Sequence, residues 1–216
     1  MLLAAAAGAC DRSAEFSRQA RADSVAAITA ESAERARQDS VNRAQPGYII
    51  DSLLPVEEEV RRFRAAVGGS VATELARGSP SVDSLVARFA RAVARSDTAD
   101  LLRMALTPRE FIDLYYPESP HTHPPYRQSP GFLWGQLELS GSKGLVRLLE
   151  RRGGKPLRLA GVRCDANPQR QGRNALWSRC EVIVRDENGA EHRERLFGSI
   201  IERDGWFKFM SFANQY

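Results

Sequence analysis

Ile200-Ile201-Glu202-Arg203-Asp204-Gly205-Trp206-Phe207-Lys208-Phe209 reads as two short strands joined by a two-residue turn. Asp-Gly between apolar, β-prone runs is among the strongest local hairpin signals, because both residues tolerate the positive φ such a turn needs. Asn188-Gly189 repeats the signal upstream. Working back from these turns, strands are predicted at about 156–165, 174–186, 190–202 and 206–213, with Asn167 to Gly172 as the first connection. The end of the chain is thus expected to be a curved antiparallel sheet of four strands.

Two cysteines test this reading. If Cys164 and Cys180 face each other across the first hairpin, paired positions sum to a constant. Val162 then lies opposite Val182 and Ala160 opposite Val184, on the cysteines' face, with Arg163 opposite Glu181 on the other. Apolar residues meet apolar ones and opposite charges meet, as cross-strand pairing favours. A disulfide is therefore expected, two free buried cysteines being the alternative; closing such a loop contributes roughly 3 kcal/mol.

The last two strands are apolar on both sides. Phe197, Ile201, Phe207 and Phe209 are expected on one face, and Leu196, Ile200, Met210 and Phe212 on the other. A strand apolar on both faces is covered on both. Helices cover one side of a two-layer domain, so the second implies a homodimer through the sheet, the N-terminal segment, or a curled sheet around a cavity.

Helical signals precede the sheet. Pro55 followed by Glu57, Glu58 and Glu59 starts a helix running to Val67, because proline suits the first turn and acids suit the positive end of the dipole. A second helix begins near Ser79-Pro80 and carries Val82, Leu85, Val86, Phe89, Ala90 and Val93 on one face. A third covers about 98–105. Thr107-Pro108-Arg109-Glu110 is a capping box opening a short helix through Phe111, Leu114 and Tyr115. Residues 117–130 form a loop with five prolines. A last helical region holds Phe132, Leu133, Trp134, Leu145, Leu148 and Leu149 and ends in Arg151-Arg152-Gly153-Gly154.

From Asp11 to about 45 the chain is rich in Ala, Arg, Ser and Glu. Val25, Ile28 and Val41 are too sparse for a coiled-coil seam. This stretch reads as a polar, partly helical tether, set off by Pro46-Gly47 from an α+β domain over 46–216. A partner-binding helix is the sharper alternative. Ahead of it, Met1-Leu2-Leu3, an alanine run and Ala7-Gly8-Ala9-Cys10-Asp11 resemble the lipobox of bacterial lipoproteins. That resemblance makes residues 1–10 a shortened export signal, whose shortness a start upstream of Met1 would explain, and Cys10 the lipidated residue. A disordered alanine-rich tail is the plainer reading. Lipidation would also account for the odd cysteine of three, and a disulfide agrees with an oxidising compartment. The expected location is the bacterial cell envelope, anchored through Cys10 and facing the periplasm or exterior.

Helices followed by a curved meander ending in Glu202-Arg203-Asp204-Gly205-Trp206 are similar to the nuclear-transport-factor-two-like, or SnoaL-like, fold. The resemblance spans about 80–216 and implies a cone-like domain with a pocket between helices and sheet. That fold hosts isomerases and dehydratases as well as non-catalytic binding modules, so it does not itself imply an activity.

The charge of +4 does not imply nucleic acid. Of 31 basic residues only Lys143, Lys155 and Lys208 are lysines, and the arginines are interleaved with acids rather than gathered in a stripe. No run approaches the length of a membrane span. His121-Thr122-His123 could ligate a metal with Asp113 or Glu118, but no further ligand stands at a diagnostic spacing, and a solvated loop accounts for it. Tyr115, Tyr116, Tyr126 and Arg127 flank the proline loop, with Trp134 just beyond. They are candidates for a ligand-binding aromatic and cationic lip, or for anchors of the loop. Asp113 with Glu118, or Glu138 with Glu150, look like surface carboxylates rather than acid/base pairs, and His192 like an exposed residue. No cofactor motif is found. The expected function is a lipid-anchored domain that binds an unknown protein or small apolar ligand without catalysis; the alternative is a cone-pocket hydrolase or isomerase.

Overall fold

The structure, a computed structural model, describes residues 7–43 and 54–214. The chain divides into two units, 1–53 and 54–216. In the first, α1 (Ala7–Arg43) is a helix without an apolar face, and Val25, Ile28 and Val41 are exposed along it. Cys10 lies on its backbone, but the side chain is outside what is described, as are residues 1–6 and the Pro46-Gly47 break.

The second unit is α+β, helices first. Helix α2 (Val56–Val67) begins after Pro55 with three glutamates in its first turn, as expected. Helix α3 (Val82–Ala94) is capped by a Ser81/Ser84 capping box and buries Leu85, Val86, Phe89, Ala92 and Val93. Helix α4 (Thr98–Met104) is capped by Asp97. The Thr107/Glu110 capping box opens α5 (Pro108–Glu110), which continues as a π-helical turn over Phe111–Tyr115. The proline loop contains two 3-10 turns, Tyr116–Glu118 and Pro120–Thr122. Helix α6 (Pro130–Arg152) starts at the Ser129 cap and ends at Gly153.

The strands depart from the expected four. Seven short ones form two antiparallel sheets: β1 (Leu159–Arg163), β4 (Glu181–Arg185) and β5 (Glu191–Glu194) in one, in the order β1-β4-β5, and β2 (Gln169–Gln171), β3 (Asn174–Trp177), β6 (Ile200–Arg203) and β7 (Trp206–Phe209) in the other, in the order β2-β3-β6-β7. Both long middle runs break in two. The run from Asn174 leaves the four-stranded sheet at Ser178, turns at Arg179 with φ 48°, and enters the three-stranded sheet at Glu181. The run from Glu191 crosses back through residues 195–199. Strand β2 lies where only a connection was expected.

Cys164 and Cys180 are bridged, with sulfurs 2.00 Å apart. Val162 pairs with Val182 and Arg163 with Glu181, as the register predicts. An irregularity between Leu159 and Gly161 then puts Leu159, not Ala160, opposite Val184. The faces of the last hairpin also differ from expectation. Ile200 pairs with Phe209 and Ile201 with Lys208, so Ile200, Phe207 and Phe209 share one face while Ile201 shares the other with Lys208. Leu196 and Phe197 stand off any strand and both enter the same core.

The four-stranded sheet is buried on both sides by its own chain. On one side, Phe89 of α3 meets Phe197 and Phe209 edge-on at 5.4 and 5.5 Å, joined by α4, the second half of α6, and Val182 and Val184 of the other sheet. On the other, Leu176, Ile201 and Met210 pack against Leu106, Phe111, Ile112, Leu114 and Tyr115, with α2 and the first half of α6 behind them. The outer edge of β7 is closed as well: Ser79 exchanges two backbone hydrogen bonds with Phe207, and the Leu106 N–H donates to the Phe209 carbonyl at 2.8 Å. An unpaired edge would template association.

Candidate functional site

The segment 105–118 lies over the sheet, and charged residues hold it there. Lys208, fully buried on β7, places Nζ 2.8 and 3.0 Å from the two carboxylate oxygens of Glu110. The same carboxylate accepts from the N–H groups of Ala76 and Thr107 and from the Thr107 hydroxyl. Burial pushes the Lys208 ammonium below its ordinary range, and the Glu110 charge works against that shift.

Asp113 is equally committed. It accepts from Arg64 Nε at 2.8 Å and the Ala72 N–H at 2.9 Å, and Arg109 Nε stands 2.7 Å away as an ion pair. Glu118 receives the Arg173 N–H at 2.8 Å, Asn174 Nδ2 at 3.0 Å and Arg203 Nη1 at 3.2 Å. Arg203, itself buried, also donates to the Leu114 carbonyl and to Asn174 Oδ1. Asp113 and Glu118 are thus fasteners rather than the surface carboxylates they resemble in the sequence. Glu138 and Glu150 lie twelve residues apart on α6, about 18 Å at 1.5 Å per residue, so they do not form a pair.

Two concavities flank this fastened segment. The larger, of about 690 Å³, opens between the first turns of α2 and the proline loop, with Val56 and Val60 on one wall and Tyr116, Thr122, His123 and Arg127 on the other. The Tyr116 hydroxyl donates to the Gln128 carbonyl at 2.9 Å. Burial, aided by the negative charge of Glu59, pushes its pKa up to about 12, so the phenol is a neutral donor at any physiological pH. The smaller groove, of about 220 Å³, runs between the Ala105–Pro108 stretch and α6 and is lined by Leu106, Trp134, Leu137, Glu138, Met210 and Phe212, among others.

The five residues expected at one aromatic and cationic lip are divided. Tyr116 and Arg127 line the large cleft. Trp134 faces the small groove and contacts the Phe111 ring at 5.3 Å. Tyr115 is buried in the core beside Phe111. Tyr126 is 61% exposed, its ring 5.6 Å from that of His121 on the outside of the loop. His123 lines the large cleft. His192 is exposed, with Nε2 3.0 Å from Asp186 Oδ2, a contact that with backbone N–H groups holds the Asp186 carboxyl below its usual range.

Among the described residues, no three His, Cys, Asp or Glu side chains converge on a point where a metal ion could sit. No described helix is long and apolar enough to cross a membrane. The small groove was invisible in the sequence. Its one local sign is the glycine pair on α6: Gly141 faces Ser211, and a Cβ on Gly144 would fall 1.8 Å from the Phe212 carbonyl oxygen. No family of proteins, curated protein or solved structure matches this chain.

Proposed function

We propose that residues 54–214 form a non-catalytic ligand-binding domain, carried by α1 as a tether in a lipid-anchored protein of the bacterial cell envelope, with the 690 Å³ cleft as its binding site. One observation carries the binding reading. The ionisable side chains Glu110, Asp113, Glu118, Arg203 and Lys208 are engaged with one another or with backbone groups, whereas the cleft sets the apolar Val56, Val60 and Tyr116 ring beside the polar side chains of Glu57, Arg64, Thr122, His123 and Arg127. Binding sites have that make-up. Val56, Val60 and the Tyr116 ring suit an apolar ligand body, and Arg127 and His123 suit an acidic group on it. The lipidated Cys10 and the envelope location rest on the sequence preceding Asp11 and agree with the Cys164–Cys180 bridge.

The probe is 8-anilinonaphthalene-1-sulfonate, an apolar anion, titrated into the full chain and followed by fluorescence. Saturable one-to-one binding, weakened by Arg127→Glu and by Val60→Trp, is the expected result. Binding indifferent to both substitutions would overturn the site. Turnover of an ester or epoxide abolished by His123→Ala would replace the binding reading with the enzymatic one. For the anchor, mass spectrometry of the exported protein should find acyl groups on Cys10 that are absent from Cys10→Ser.

A further inference from the structure

We propose that α6 is a contact between two copies of this chain, packed parallel along Phe132, Leu139 and Val146. A helix on a domain surface directs its apolar residues inward and polar ones outward. Helix α6 obeys the first half of that rule with Leu145 and Leu148, and breaks the second. Phe132, Leu139 and Val146 are 53%, 58% and 56% exposed. They recur every seven residues, so they form one stripe on the outward face, about 21 Å from end to end at 1.5 Å per residue.

The residues between them are what a close helix–helix contact uses. With the exposed apolar positions as a, the d positions are Gly135 and Ser142, both small and exposed, and a Cβ built on Gly135 meets nothing within 4 Å. Small d residues let a facing helix approach closely, while the large a side chains meet their own counterparts across the two-fold axis.

Charge selects the occupant and its direction. Glu138 falls at g of one heptad and Lys143 at e of the next, flanking the stripe on opposite sides. Neither takes part in an ion pair among the described residues. In a parallel pair, each g residue faces the e residue of the next heptad on the partner. Glu138 of one copy therefore meets Lys143 of the other, twice over by symmetry. An antiparallel pair sets like flanks together and forms neither bridge. The stripe is thus complementary to itself in one orientation, as a closed two-fold contact requires. Two heptads bury less than the roughly 1,200 Å² of a stable free-standing interface, so the dimer forms only at high local concentration. Tethering to a surface would supply that concentration, although the contact itself does not depend on the binding or anchoring proposed above.

The experiment uses the full chain with Cys10→Ser, which removes the remaining unbridged thiol. Sedimentation velocity from about 1 µM to about 1 mM should show a reversible monomer–dimer equilibrium. Leu139→Glu should abolish it with an unchanged circular dichroism spectrum. Glu138→Lys should weaken it roughly three- to tenfold, the loss of two exposed ion pairs, and Glu138→Lys with Lys143→Glu should restore it. Ser142→Cys, at a d position, should give an oxidised dimer far faster than the exposed control Asn188→Cys. A monomer at the highest concentration, a dimer that survives Leu139→Glu, or equal cross-linking at positions 142 and 188 would each overturn the proposal.

Discussion

Lys208 and Glu110, 98 residues apart in the chain, form an ion pair buried between β7 and the start of α5, with Nζ 2.8 Å from Oε2. The two partners are not equivalent. Glu110 keeps three other donors if Lys208 is lost, whereas an unpaired Lys208 would keep only a desolvated charge. Glu110→Gln should therefore cost roughly 3–5 kcal/mol, the range for an uncompensated buried ion, and Lys208→Met distinctly less. The double variant should be more stable than the sum of the singles predicts. Urea unfolding of the three variants measures this coupling, and additive effects would show that the pair is not coupled.

Tyr116 gives the fold a signature in alkali. Its phenol ionises at about 12 in the folded protein, through burial first and Glu59 second, and near 10 when unfolded. Folding thus favours the proton-bound form. The stabilisation is complete below pH 10 and is lost as pH rises from 10 toward 12. The lowered ammonium of Lys208 works in the opposite sense below 10.5, so the comparison is between the native chain and Tyr116→Phe. Absorbance near 295 nm should show a late phase from Tyr116, and Tyr116→Phe should remove it. It should also lose about 1 kcal/mol with the hydrogen bond to Gln128.

Two glycines of α6 should respond oppositely to alanine. At Gly144 a Cβ would stand 1.8 Å from the Phe212 carbonyl oxygen, so the helix must move off the C-terminal segment. Several kcal/mol of stability should be lost, as in other overpacked cores. At Gly135 the space is open, and Gly135→Ala should gain about 0.5–1 kcal/mol from helix propensity alone. Thermal melts of the two variants, run side by side, test the contrast.

The Cys164–Cys180 bridge closes a loop with a sequence separation of 16. Replacing both cysteines by alanine should lower stability by roughly 3 kcal/mol on the chain-entropy account. Because the Val162–Val182 and Arg163–Glu181 pairs also hold the hairpin in register, near-native circular dichroism should survive. A variant that no longer folds would mean that the bridge, rather than the register, specifies the hairpin.

What could be read from the sequence was local. The Thr107/Glu110 capping box, the Pro55 start, the Asp204-Gly205 turn and the Arg163–Glu181 pairing each depend on neighbours or on one short hairpin, and each is present. The hairpin faces could have been read as well. A two-residue turn at Asp204-Gly205 forces Arg203 opposite Trp206, and hence Ile200 opposite Phe209. The strand breaks at 178–180 and 195–199 could not. An apolar run supplies both faces equally, and only the need to serve two cores decides where the chain changes sheets. For the same reason Asp113 and Glu118 looked like surface carboxylates. Their engagement depends on partners such as Arg64, Asn174 and Arg203, 49, 56 and 85 residues away, and no window of sequence spans that distance. The division of the tyrosines followed, since Tyr115 points into the core that Ile201 and Met210 complete.

The fasteners between residues 110–118 and strands β3, β6 and β7 also set the order in which the protein can be made. Arg203 and Lys208 follow their partners Glu118 and Glu110 by 85 and 98 residues, and Phe209 joins the aromatic cluster around Phe89. A nascent chain still lacking β6 and β7 has its helices but no sheet face to lay them on. Native contacts of such high sequence separation slow folding, so the domain closes only once the β6–β7 hairpin is free to join it.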